Sequence, residues 1–83
     1  MELIEIIFNY KGALIEAEIY PEDNCKGLLY PVNLNGVYSF TLSFNDEEGW
    51  NVMRESDGMI PVVEDELFGL ISRQLKWELN HVA

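Results

Sequence analysis

The stretch Leu28–Phe44, LLYPVNLNGVYSFTLSF, decides the fold. Two runs rich in β-branched and aromatic residues flank Asn35-Gly36, a dipeptide suited to the tight hairpin turn in which both central residues take positive φ. Strands are expected over 28–34 and 37–44. An uninterrupted ladder from that turn places Asn33/Tyr38, Pro31/Phe40 and Leu29/Leu42 on one face. It places Leu34/Val37, Val32/Ser39, Tyr30/Thr41 and Leu28/Ser43 on the other. Both faces carry apolar groups, so the next strand has to decide between them.

Asn45-Asp46-Glu47-Glu48-Gly49 reads as a hairpin loop leading to a strand over 50–55. Pairing across it sets Phe44 opposite Trp50, Leu42 opposite Val52 and Phe40 opposite Arg54. This selects Tyr38, Phe40, Leu42, Phe44, Trp50 and Val52 as the core side. The stripe Leu28, Tyr30, Val32 and Leu34 is then expected on the outer side. Pro31 cannot donate to a ladder, so strand 28–34 is expected either at a sheet edge or bulged at Pro31, with the first hairpin docked beside strand 50–55.

Upstream, residues 2–10 and 13–20 form a first hairpin about Lys11-Gly12. Tyr10/Ala13, Phe8/Ile15, Ile6/Ala17 and Ile4/Ile19 share an apolar face. The reverse face pairs Asn9/Leu14, Ile7/Glu16, Glu5/Glu18 and Leu3/Tyr20, with two carboxylates directly opposed. A seven-residue loop, 21–27, joins the two hairpins.

Downstream, a helix is expected from Pro61 onward, with Glu64, Asp65 and Glu66 matching the positive end of the helix dipole and Arg73 and Lys76 toward the far end. Val63, Leu67, Leu70, Ile71, Leu75 and Leu79 form one stripe, widened by Phe68 and Trp77. The expected class is α+β: an antiparallel sheet of about five strands, with the C-terminal helix packed on one face of a single domain spanning 1–83.

The chain has fifteen acidic residues against five Lys and Arg, a net charge of -10, yet it is 48% apolar by residue. Enough apolar surface is available to support a core, which argues against disorder. The negative balance argues against a grip on nucleic acid, where Lys and Arg must displace counterions, and against anionic membranes. Glu2 and Glu5 stand where a secretory signal would be basic, and no apolar run approaches a bilayer span, so a cytoplasmic location is expected.

Sites of chemistry are not evident. His81 lies three residues from the C-terminus, and Cys25 sits beside Lys26 in a loop with no second cysteine. Neither completes a nucleophile and base pair, and no catalytic, cofactor or metal residue is expected. The acidic loop 45–49 departs from a calcium-loop pattern.

The reading favoured is a small acidic, non-enzymatic protein-interaction module that self-associates as a homodimer through the outer sheet face. Leu28, Tyr30, Val32, Leu34 and Trp77 form the expected partner interface. One alternative is an acidic decoy or inhibitor, in the manner of an immunity protein or DNA mimic, presenting Glu5, Glu16, Glu18, Asp46, Glu47 and Glu48 to a basic protein. Another is a carrier or enzyme with a helix–sheet pocket lined by Tyr10, Tyr38 or Trp50.

Overall fold

The first hairpin forms in the register that its two-residue turn dictates. In the computed structural model, which describes residues 3–24 and 27–81, β1 (Ile4–Tyr10) pairs antiparallel with β2 (Ala13–Ile19), from Ile4 opposite Ile19 to Tyr10 opposite Ala13. Lys11 and Gly12 take φ of 52° and 81°, the positive values this turn needs. A short β3 (Glu22–Asn24) follows, then β4 (Gly27–Leu34), β5 (Val37–Asn45), β6 (Gly49–Val52) and α1 (Asp65–His81). The strands form one antiparallel sheet in the order β1-β2-β4-β5-β6, with β3 also pairing to β4. The helix covers one face, giving the expected α+β architecture.

Strand order corrects the sequence reading at β4, which is central: the first hairpin docks beside it, not beside β6. Pro31 is tolerated there because of where its missing donor falls. β2 pairs with Val32–Leu34 and β3 with Gly27–Leu29, both along the same side of β4, so Pro31 lies at the break between them. Its carbonyl still accepts the Tyr20 N–H at 3.1 Å. The interruption in the neighbouring strand thus coincides with the residue that cannot donate.

A second correction follows from a β-bulge. The β4–β5 ladder begins as the turn requires, Leu34 opposite Val37 and Asn33 opposite Tyr38, but then shifts: Val32 faces Phe40, Pro31 faces Thr41 and Tyr30 faces Leu42. Ser39 is the extra residue. One inserted residue reverses the facing of everything beyond it, so Tyr30 and Val32 join Phe40 and Leu42 on the helix side. Tyr30 and Val32 are buried, with Leu28 and Leu34 partly buried against the same core, and the outer position expected for this stripe is overturned. Tyr38, expected in the core, is exposed and bonds Thr41 and Glu55.

The β5–β6 register is the one the sequence implies, with Phe44 opposite Trp50 and Leu42 opposite Val52, although β6 ends at Val52 rather than running to residue 55. The core then consists of Ile6, Ala17, Ile19, Tyr30, Val32, Phe40 and Leu42 under Ile71 and Leu75 of the helix. Phe44 remains half exposed at its margin, where its ring meets Trp50 edge-on.

The helix begins at Asp65, four residues later than Pro61 suggested. Glu64 stands just outside it, its carbonyl accepting the Phe68 N–H at 2.9 Å. The Glu64 side chain leaves the helix end to pair with Lys11 in the first turn, and the Lys11 ammonium also lies 5.4 Å from the centre of the Tyr10 ring. The hydrogen bond from Lys11 holds the Glu64 carboxyl below its ordinary range. Because the folded-state value is depressed, this pair stabilises the fold above the unfolded carboxylate pKa and the contribution is lost as pH falls through the lower folded value. Lys11→Met should therefore flatten that acid limb of the stability profile. Urea midpoints measured across the acid range check it, and an unchanged profile refutes the coupling.

Candidate protein-interaction surface

Two surfaces survive once the bulge is accounted for. The first is the outer face of the first hairpin, where alternation along β1 and β2 sends Leu3, Ile7, Leu14 and Tyr20 to the side away from the helix. They are 39%, 63%, 59% and 45% exposed. Glu5, Glu16 and Glu18 lie among them, Glu5 directly opposite Glu18 and Glu16 opposite Ile7. The sheet curls into a concavity of about 370 Å³ here, lined by these three acids, Ile7 and the Asn35-Gly36 turn. Asn35 fixes that rim: its side-chain oxygen accepts the Glu16 N–H at 2.9 Å, while its own N–H donates to the Glu16 carbonyl at 2.8 Å.

The second is the free edge of β1. This strand lies at the end of the sheet, whereas the opposite edge is the short β6. Tyr20 donates to Pro31 and Asn35 donates to Glu16, so the even-numbered residues of β2 bond toward β4. The odd-numbered residues of β2 therefore bond β1, and in β1 the even-numbered residues bond back. That leaves the backbone donors and acceptors of Glu5, Ile7 and Asn9 directed outward. Between this edge and the helix runs a groove of about 210 Å³, lined by Glu5, Ile6, Ile7, Phe8, Leu70 and Gln74. At 100° per residue, Trp77 follows Leu70 on the same helix flank, and it is half exposed.

The residues expected to form a partner interface are thus divided. Trp77 is at the surface, but Tyr30 and Val32 are buried and Leu28 and Leu34 are partly buried against the core. The acidic group is divided too: Glu5, Glu16 and Glu18 share the first hairpin, while Asp46, Glu47 and Glu48 sit in the β5–β6 turn across the sheet. There the Asn45 side chain accepts the N–H groups of Glu47 and Glu48, at 2.7 and 3.2 Å, which accounts for the shape of this turn without any ion. Among the described residues no group of three His, Cys, Asp or Glu side chains could hold a metal. Cys25 and Lys26 lie outside the described residues. No helix among the described residues is long and apolar enough to cross a membrane.

The residues proposed for a helix–sheet pocket do not converge either. Tyr38 is on the outer face, Tyr10 is by the first turn, and Trp50 lines a cleft of about 180 Å³ with Tyr30, Phe44, Lys76 and Leu79 at the other end of the helix. The Tyr30 and Trp50 rings meet edge-on at 5.0 Å. The Trp50 indole N–H is buried and has no acceptor among the described residues.

No protein-family model, curated protein or solved structure matches this chain. Its surface chemistry is the ground for a functional reading.

The exposed Ile7 and Leu14 were already on the reverse face of the first hairpin in the sequence register. What the pairing of that hairpin could not convey was that β1 would have no second neighbouring strand among the described residues, since this depends on which strand the hairpin docks against.

Proposed function

We propose that this chain is a cytoplasmic, non-enzymatic protein-interaction module that self-associates as a homodimer through the β1–β2 side of its sheet. The observation that carries this reading is the exposed apolar group Leu3, Ile7, Leu14 and Tyr20 lying next to the outer edge of the seven-residue β1, beside which no further strand lies among the described residues. A strand edge of this length, without Pro, Gly or a bulge and with Glu5 as its one charged residue, is a template for pairing. Light scattering from the low micromolar range upward should give twice the 9.6 kDa chain mass. A monomer throughout that range overturns the reading.

A second reading is favoured by the concavity lined by Glu5, Glu16 and Glu18, which suits a cationic side chain of a basic protein. Salt separates the two. Attraction between opposite charges weakens as ionic strength rises, whereas two copies of net charge -10 repel, and screening lets them associate more tightly.

A further inference from the structure

We propose that the occupant of the β1 edge is β1 of a second copy, joined antiparallel about a two-fold axis through Ile7; this rests on the self-association reading above and specifies its geometry. Three observations converge on this register. The first is length: centring on Ile7 overlaps β1 with its copy from Ile4 to Tyr10, whereas every displaced register leaves part of one strand unpaired. The second is bonding parity. The outward-directed residues meet as Ile7 with Ile7 and Glu5 with Asn9, so each such pair can exchange both backbone hydrogen bonds.

The third is charge. Glu5 is the acid on this edge, and it faces the amide of Asn9 in the second copy. A register centred on Glu5 would oppose two carboxylates, and a face-to-face contact of the outer surfaces would bring Glu5, Glu16 and Glu18 of both copies together. Edge pairing avoids both. On the helix side the same axis sets Ile6 against Phe8 of the other copy and closes the groove beneath Leu70, so apolar surface left open in one chain is covered by its equivalent in the other.

Cross-linking tests the register independently of the dimer itself. In a Cys25→Ser background, Ile7→Cys places two thiols in a directly opposed pair, where Cα atoms lie about 5.5 Å apart, within the range a disulfide spans. Leu14→Cys serves as the control. It is similarly exposed on the same face, but in this dimer its two copies are about 20 Å apart, three strand spacings across the sheet and four residues along it. Mild oxidation should convert Ile7→Cys, and not Leu14→Cys, to a covalent dimer.

Ile7→Pro complements this, because it deletes an N–H that points away from β2 and has no backbone partner among the described residues, while keeping an extended backbone. It should give a monomer by light scattering with an unchanged far-ultraviolet circular dichroism spectrum. A folded Ile7→Pro chain that still dimerises overturns the proposal. A dimeric parent in which Ile7→Cys fails to cross-link, or Leu14→Cys cross-links instead, overturns the register while leaving self-association standing. A parent that is monomeric at every concentration removes both.

Discussion

Replacing Tyr30 by Glu is expected to unfold this domain or bring it to the brink of unfolding at neutral pH. The ring is 4% exposed, faces Leu42 across the β4–β5 ladder and packs edge-on against Trp50. A carboxylate there would lose most of its hydration, and Lys76, which lines the same cleft, is itself an exposed, solvated cation. Losing the buried aromatic group alone costs about 3–5 kcal/mol, and desolvation of the charge adds to it. Domains of this size hold roughly 4–12 kcal/mol in all. The effect carries its own pH signature. Burial raises the pKa of the introduced carboxyl above its unfolded value, so the penalty is greatest at neutral pH and shrinks as the pH falls through that raised value. Thermal melts of Tyr30→Glu and the parent at neutral and mildly acidic pH check this. Had Tyr30 been on the outer face, the substitution would shift stability by no more than about 0.5 kcal/mol, and a near-parental melt would return it there.

The fate of Tyr30 marks the boundary of what could be read from the residues. Local chemistry was legible: Lys11-Gly12 and Asn35-Gly36 set two turns with positive φ, and the alternation in residues 4–19 fixed which side of the first hairpin is apolar. The class of fold followed from strands succeeded by one amphipathic helix. Strand order was less accessible, because Pro31 implied an edge or a bulge at that residue, and the gap between β2 and β3 is what makes a central position acceptable. The inserted residue at Ser39 was the costliest omission. An uninterrupted ladder distributes apolar groups over both faces of β4 and β5, and that ambivalence was itself a signal. Allowing one bulge gathers Tyr30, Val32, Phe40 and Leu42 on a single face, which burial rewards far more than an unbroken ladder would. The candidate interface moved for the same reason, from the stripe on β4 to the exposed residues of β1 and β2, whose facing the first turn had already settled.

Deleting single residues from β5 should therefore give opposite results two positions apart. Removal of Ser39 takes out the extra residue: Tyr38 still faces Asn33, Phe40 still faces Val32, and every pair beyond is kept, so the fold is expected to survive with a change of about 1 kcal/mol. Removal of Thr41 offers no such escape. If Phe40 keeps its place opposite Val32, Leu42 turns outward and carries Val52, its partner in the β5–β6 hairpin, with it. If Leu42 keeps its place opposite Tyr30, the ladder reverts to the unbulged register and Phe40 turns outward. Both residues are essentially inaccessible in the core, and expelling either costs about 2–5 kcal/mol before any loss of ladder bonds. Urea denaturation of the two deletions resolves the matter: a midpoint near the parent's for the Ser39 deletion beside a collapsed midpoint for the Thr41 deletion is the expected pair. The same pattern with the roles exchanged would mean that β4 and β5 pair without a bulge, and the outer stripe on β4 would again be the surface to which a partner has access.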